Sequence, residues 1–148
     1  MTRSLTTSIF AIVLVLAGSF AASSQTLPEG KWKLTSYSFK QKIAYPIDSL
    51  NVTMNVKDGR LGGRSGCNVY GGSFTIDEGK LKVGPVVSTM MACEEPAMSF
   101  ERSYLGVLQA ATEFTVEEET MTITDPVTFS FLRFARVRED SNTNEDRN

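Results

Sequence analysis

The chain of 148 residues contains no histidine and only two cysteines. Without an imidazole, a Ser-His-Asp triad, a Cys-His pair and a histidine metal site are all excluded. Two thiols alone cannot form the usual four-ligand zinc site. The chain also lacks a basic excess, since 15 Lys and Arg face 17 Asp and Glu, for a formal net charge of −2. A nucleic-acid partner needs a clustered basic face and is not expected.

An N-terminal segment has the layout of a secretory signal peptide. Arg3 supplies a short positive region, residues 9–16 form an unbroken apolar run, and small residues follow up to Ser24. The run is short for a membrane-spanning helix, although an uncleaved anchor is the alternative. No cysteine follows it, so a lipoprotein anchor is not expected, and nothing after residue 25 is apolar enough to span a membrane. We assign residues 1–24 to a cleaved signal peptide and expect a periplasmic or secreted protein.

The two cysteines, Cys67 and Cys93, become informative once export is assumed. An exported chain meets an oxidising compartment, so the pair predicts a disulfide. Closing this loop should stabilise the fold by about 3–4 kcal/mol on the chain-entropy model. Two buried free thiols acting as small apolar side chains are the alternative.

Short alternating strands dominate the rest of the chain. In residues 31–39, Trp32 and Leu34 have one parity, while Tyr37 and Phe39 have the other. One face can bury both pairs only if a bulge near Thr35 shifts the register. The further strands are predicted over residues 51–57, from Arg60, over 70–76, 81–83, 114–116 and 121–123, and over 127–137.

Local signals define several connections between these strands. Asp58-Gly59 is a strong two-residue hairpin signal. The Glu117-Glu118-Glu119 run predicts a charged turn, and residues 84–95 are expected to form a loop. The last strand, residues 127–137, also changes parity, which predicts a second bulge or burial on both sides.

One helix is expected from about Pro96 to Ala111. Pro96 suits a first helical position, and Glu94 and Glu95 lie where they complement the helix dipole. Glu101 is expected mostly outside the apolar stripe. The stripe consists of Phe100, Tyr104, Val107, Leu108 and Ala111.

These elements predict a mainly β (α+β) fold, a small cracked antiparallel β-barrel of about seven or eight strands with one helix. Residues 25–138 form one domain, which we expect to be a monomer. Residues 139–148 contain no hydrophobic side chain and are expected to be a disordered tail.

Ordered motifs in this domain resemble the META domain family, which includes HslJ-type lipoproteins. Residues 32–34 are similar to its opening W-x-L, and residues 63–68 to its G-x-x-G-C-N signature. Thr89 to Cys93 is similar to its T-x-M-A-C motif, and Phe100-Glu101 lies at its F/Y-E helix. The resemblance covers about residues 28–137.

The resemblance implies a cracked antiparallel barrel with a helix, no established enzymatic activity and a link to stress response. Two features depart from the family pattern. Phe74 stands where the family often has tyrosine, so a hydroxyl-dependent role there is not supported, and the lipoprotein attachment motif is missing.

The main binding candidates are Arg64, Asn68 and Tyr70 in the glycine-rich segment. Asn68 has an amide donor and acceptor, and Arg64 offers a planar fork for an anion. The alternative, which we favour, is structural: the glycines bend the barrel and Asn68 adopts a left-handed conformation in its turn.

Other candidates have simpler explanations. Thr89, Met90 and Met91 are expected to pack in the core rather than to form a contact surface or a copper(I) site. The Glu117–Glu119 run lacks a spaced calcium loop, and parity separates Arg133 from Arg136 and Arg138. In the sequon at Asn51 we expect no glycan, because we expect a bacterial source.

The sequence therefore predicts a non-enzymatic envelope protein, related to stress response or ligand binding, without cofactor or metal. Its partner would be an unidentified protein or peptide held by a groove or an edge strand. The alternatives are a carrier of a small apolar ligand inside the barrel and, with least support, a carboxylate-based hydrolase. An unpaired edge beside the glycine segment would favour the partner hypothesis.

Overall fold

A computed structural model describes residues 26–47 and 49–138. The predicted signal peptide, residues 1–24, and the predicted tail, residues 139–148, lie outside the described residues. Within the described part, the helix is neither long nor apolar enough to cross a membrane. The elements are β1 (Gly30–Phe39), β2 (Lys42–Ala44), β3 (Thr53–Lys57), β4 (Arg60–Arg64), β5 (Val69–Asp77), β6 (Lys80–Val83), β7 (Val87–Ser88), α1 (Ala97–Ala110), β8 (Glu113–Glu117), β9 (Thr120–Asp125) and β10 (Ser130–Arg136).

The strands form one antiparallel sheet that curls into a nearly closed barrel. Eight strands follow the order β6-β5-β4-β3-β1-β10-β9-β8, while β2 pairs with β1 and β7 with β5. The two ends of this path come together where the Leu81 N–H donates to the Thr112 carbonyl oxygen at 3.0 Å. The predicted cracked barrel with one helix is confirmed.

A bulge in β1 resolves the parity conflict seen in the sequence. Leu34 pairs with Phe134, but Ser36 pairs with Arg133, so Thr35 is the extra residue. Beyond it, Tyr37 lies opposite the buried Leu132 and turns toward the helix, where its ring centroid is 5.0 Å from that of Phe100. The first predicted bulge is confirmed.

The last strand is shorter than predicted. It begins at Ser130, and residues 126–129 form a turn in which the Asp125 carboxylate accepts a hydrogen bond from the Val127 N–H. Phe129 has a φ of +53° and is exposed. Because β10 pairs with β9 without a shift, the predicted second bulge is wrong. Val127 and Phe129 belong to the turn, and Phe131, on the face of β10 opposite to the buried Leu132, is partly buried, which agrees with the alternative of burial on both sides.

Two short strands were missed. β2 returns along β1 after a turn at Lys40 and Gln41, whose φ values are +51° and +67°. Neither lysine nor glutamine is a residue type that signals such a turn, so the turn is not visible in the local sequence pattern. β7 lies within residues 84–95, which were expected to form only a loop.

Helix α1 packs against β6, β9 and β10. Its predicted stripe of Phe100, Tyr104, Val107 and Leu108 is buried. The helix begins at Ala97, one residue after the expected start, with Pro96 as its N-cap. Glu95 accepts a hydrogen bond from the Ser99 N–H at 3.0 Å, and hydrogen bonds from the Ser99 side chain and backbone lower the pKa of Glu95. Glu95 therefore satisfies one of the free N–H groups at this helix end.

Candidate functional site

A disulfide joins two connecting segments at one end of the barrel. Cys67 lies in the β4–β5 loop (residues 65–68), and Cys93 lies in the β7–α1 segment (residues 89–96). The two are bonded, with their Cα atoms 6.0 Å apart. The predicted pairing is thus present, and it fixes the segment after β7 to the tip of the β4–β5 hairpin.

Glu101 is the centre of a buried polar network beneath this disulfide. Its Oε2 accepts hydrogen bonds from Ser65 Oγ and from the Asn68 N–H, each at 2.7 Å. Its Oε1 accepts from Asn68 Nδ2, also at 2.7 Å. Ser65, Asn68 and Glu101 are 0%, 2% and 7% exposed. A carboxylate from the helix therefore satisfies the donors of a loop distant in sequence.

These donors determine how Glu101 titrates. Burial alone raises the pKa of the carboxyl group, but hydrogen bonds from Ser65, from both nitrogens of Asn68 and from the Cys67 backbone outweigh it and lower the pKa below its ordinary value. Glu101 is therefore ionised at neutral pH, and it has no proton to donate as a general acid.

Asn68 extends the network to the β7–α1 segment. Its Oδ1 accepts from Thr89 Oγ1 and from the Met91 N–H, both at 2.8 Å. Thr89 in turn accepts a hydrogen bond from the Val69 N–H at 3.2 Å. One amide thus connects the helix carboxylate with residues 89–91, so the conformation of that segment is fixed from inside the protein.

A buried pair of tyrosines lies beside the network. The hydroxyl groups of Tyr70 and Tyr104 are 2.6 Å apart, and Tyr70 donates to the Thr53 carbonyl oxygen at 3.2 Å. Tyr104 must then donate to Tyr70. Burial raises the pKa of both hydroxyl groups, so they stay neutral and function as hydrogen-bonding groups.

The three predicted binding residues point in different directions. Arg64 is exposed, whereas Asn68 and Tyr70 are 2% and 3% exposed and form the internal bonds described above. Asn68 does not adopt the left-handed conformation expected of it, because its amide bridges two segments instead of closing its own turn. Binding by this loop stays a prediction.

Glu101 was missed as a site residue because it was placed outside the apolar stripe. The spacing of Glu101 contains the signal. Tyr104 and Leu108 follow Glu101 by three and seven residues, so the three side chains share one helix face. A carboxylate at a buried helical position needs donors, and the β4–β5 loop supplies them.

Met90 and Met91 do not pack in the core, so that expectation was wrong. They are 97% and 52% exposed. Asn68 holds the backbone of Met91, and the short segment between Ser88 and Cys93 leaves these side chains outside the barrel. Val69 and Val87 are exposed as well, and we call these four side chains the apolar rim (Val69, Val87, Met90 and Met91).

Metal binding finds no support within the described residues, where no group of three or more cysteine or acidic side chains converges. The carboxylates of Glu101 and Asp125 are instead satisfied by nearby donors.

The fold is a small antiparallel barrel closed by helix α1. Glu101 of this helix binds the β4–β5 loop, which the disulfide joins to the segment after β7. The sequence matches the META domain over residues 25–137, and the chain belongs to that family. No curated protein gives a significant match.

Solved structures share the fold. An NMR structure of a protein from Burkholderia xenovorans has a TM-score of 0.62 at 23% identity, covering 79% of this chain and 96% of that one. A crystal structure of a DUF4847 family protein from Bacteroides vulgatus ATCC 8482 has a TM-score of 0.52 at 13% identity, covering 76% and 95%. At these identities the likeness concerns the fold alone.

Proposed function

We propose that this META domain protein is an exported, non-enzymatic binding protein of the cell envelope with a stress-related role. Its partner is an extended segment of another polypeptide, which adds to the free edge of β7 and contacts the apolar rim. The observation that supports this proposal is that β7 pairs with the glycine-rich part of β5 along one edge, while no described strand pairs with its other edge.

The edge of β7 suits strand addition. β7 pairs with β5 at Tyr70 and Gly71, and the next residue, Thr89, donates its N–H to the Val69 carbonyl oxygen. Because backbone groups alternate in direction along a strand, the N–H and C=O of Ser88 point away from β5. They are available to an incoming strand, whose main chain would supply affinity and whose side chains would meet the rim.

The apolar rim strengthens this proposal. Val87 is 71% exposed and Met90 is 97% exposed, although apolar side chains of this size are more often buried. Methionine is unbranched and polarizable, so it adapts to partners of varied shape. Because Asn68 and the disulfide hold the segment in place, less conformational entropy is lost when a partner binds.

We propose the absence of enzymatic activity because the buried polar groups are already hydrogen-bonded within the protein. Both carboxylate oxygens of Glu101 accept hydrogen bonds from the β4–β5 loop. The hydroxyl groups of Tyr70 and Tyr104 are neutral and buried, and they bond to each other. A general acid or base needs to reach a substrate proton. The carboxylate-based hydrolase has correspondingly little support.

The carrier hypothesis also has less support than strand addition. The barrel interior holds the fully buried side chains of Trp32, Tyr104 and Phe134, and the last two rings pack edge to face with centroids 6.5 Å apart. A small barrel filled in this way leaves little room for a ligand along its axis.

An exported location is proposed on the N-terminal segment and on the disulfide, since such bonds persist in oxidising compartments. Thiol labelling of protein recovered from the envelope tests it. We expect no labelling of Cys67 or Cys93 before reduction and labelling of both afterwards.

Binding is tested with a labelled polypeptide that stays unfolded in buffer, reduced and carboxymethylated α-lactalbumin, by fluorescence anisotropy. Ser88→Pro removes the outward N–H without touching the bonds to β5 and should weaken binding about tenfold, equivalent to about 1.4 kcal/mol. Ser88→Ala is the matched control and should bind like the wild type. Equal affinities of wild type and Ser88→Pro, or no binding by the wild type, would contradict the proposal.

A further inference from the structure

A second surface, on the outer face of four neighbouring strands, is basic. β1, β3, β4 and β10 contain lysine and arginine but no aspartate or glutamate, although the chain has a formal net charge of −2. Side chains alternate between the faces of a strand, and Trp32, Met54 and Leu61 point into the barrel. The positions of opposite parity are exposed and include Lys33, Lys57, Arg60 and Arg64.

The register brings like charges together on this face. Lys57 lies directly opposite Arg60, and like charges in such a pair destabilise a sheet. Lys33 and Arg64 lie on either side of Thr53, whose hydroxyl oxygen accepts a hydrogen bond from the Arg64 N–H at 3.2 Å. Within the described ranges, the ion pairs involve Lys80 and Arg136 and none of these four cations. The repulsion between Lys57 and Arg60 is thus not relieved by an ion pair within the described part of the chain.

Two glycines form an open floor between the charges. Gly62 lies opposite Gly71, at the bottom of a depression of about 430 Å³ lined by Asn55, Lys57, Arg60 and the carboxylate of Asp58 at its rim. Gly62 is needed by the fold, because a Cβ there would lie 2.7 Å from the Tyr70 carbonyl oxygen. At Gly71 a Cβ would meet only the Leu61 carbonyl oxygen, at 3.8 Å. The fold does not require that glycine, and a strand glycine often marks a close approach by a ligand.

The depression continues into a second one of about 380 Å³. The two share Asn55 and Lys57, and the second extends past Glu29 to the end of the barrel, where Arg136 stacks on the buried Trp32 ring. Together they form a shallow groove, which we call the basic groove, running across the strand order β5-β4-β3-β1-β10. Four spacings of about 4.8 Å give it a length of roughly 19 Å. Such a groove accommodates a chain several monomers long rather than a single ion.

We propose that the basic groove binds an anionic polysaccharide carrying sulfate or carboxylate groups. Lys57 and Arg60 bind the anionic groups, since a guanidinium fork matches two oxygens at once. The Asn55 amide and the rim carboxylates of Glu29 and Asp58 pair with sugar hydroxyl groups, and the glycine floor lets a ring lie against the backbone.

Two other polyanions fit this face less well. The outward positions of β1, β3 and β4 offer no aromatic ring, so bases of a single-stranded nucleic acid have nothing to stack on. The same positions carry no large apolar side chain to enter an anionic bilayer.

The test measures binding of fluorescent heparin oligosaccharides to the full chain. Lys57→Gln with Arg60→Gln should weaken binding at least tenfold, and added NaCl should weaken wild-type binding through counterion release. The matched control, Lys82→Gln with Arg102→Gln, removes the same charge from exposed positions outside the groove and should stay within twofold of wild type. Equal losses in the two double variants would overturn the proposal, because net charge alone would then explain binding.

A third variant keeps every charge. Gly71→Val fills the floor at a position where the backbone has room, so Tm should hold while affinity for heparin falls about fivefold. Unchanged affinity in this variant would refute the floor as part of the site. Tighter binding of oligodeoxycytidine or of phosphatidylglycerol vesicles than of heparin would overturn the polysaccharide assignment. Ser88→Pro should bind heparin normally, which separates this inference from the proposed function.

Discussion

Replacing Glu101 with glutamine tests the network that holds the two loops together. In the wild type, Oε1 and Oε2 accept three hydrogen bonds of 2.7 Å from Ser65 and Asn68. An amide has one acceptor, so its NH₂ group must face a donor. With that group toward Asn68 Nδ2, one bond is lost outright, at about 1–3 kcal/mol, and the other two lose their charge, at about 1 kcal/mol each. We expect a total of about 3–5 kcal/mol.

The same substitution should alter how stability depends on pH. The pKa of Glu101 is lowered in the folded state, mainly because the donors outweigh burial. A carboxyl group of this kind contributes stability above its unfolded pKa of roughly 4.3, and that contribution is lost as pH falls through the lower folded value. The difference in unfolding free energy between wild type and Glu101→Gln should therefore be full at pH 7 and shrink below about pH 4.

Urea unfolding with the disulfide intact, measured from pH 3 to pH 7, checks both statements. Glu94→Gln is the matched control, since Glu94 is exposed and near the same helix end, and it should stay within about 0.5 kcal/mol of wild type. A loss below about 1 kcal/mol for Glu101→Gln, or a difference independent of pH, would refute our account of the network.

Further predictions concern the elements around this network. Reducing the Cys67–Cys93 bond, which spans 26 residues, should cost about 3.5 kcal/mol of unfolding free energy on the chain-entropy model; an unchanged urea midpoint after reduction would argue against it. Asn68→Ala releases residues 89–91 and should speed limited proteolysis in that segment at least tenfold relative to Asn55→Ala, as followed by mass spectrometry. Gln41→Gly should raise unfolding free energy by about 0.5–1 kcal/mol, since φ is +67° there and glycine adopts it without strain; a lower Tm would contradict this.

Much of the fold follows from short-range patterns. The opposed parities of Trp32 and Tyr37 required a bulge between them, and the structure has it at Thr35. Asp58-Gly59 signalled a hairpin, and both residues adopt positive φ there. These predictions succeed because one face of each strand must be buried, so that register errors would expose the core.

The failures have physical reasons as well. Lys40 and Gln41 occupy left-handed conformations that their types disfavour, so the β1–β2 turn left no trace in the sequence. Apolar character alone could not reveal that Val127 and Phe129 lie in an exposed turn. The helical spacing of Glu101 could have placed it on the buried face, but its donors come from a loop more than 30 residues earlier, and such long-range pairing is not visible in a local pattern.

The net charge of the chain is also an incomplete guide to its binding partners, because it contains no information about which strands are neighbours. A sum over the chain hides a segregation in which acidic residues gather along β8 and its turn into β9, while β1, β3, β4 and β10 carry only basic ones. Alternation places Lys33 and Arg64 on outward faces, but it cannot show that β1 lies between β3 and β10. That order brings basic residues from strands distant in sequence onto one face, and this arrangement, rather than the summed charge, is the basis for proposing a polyanionic partner.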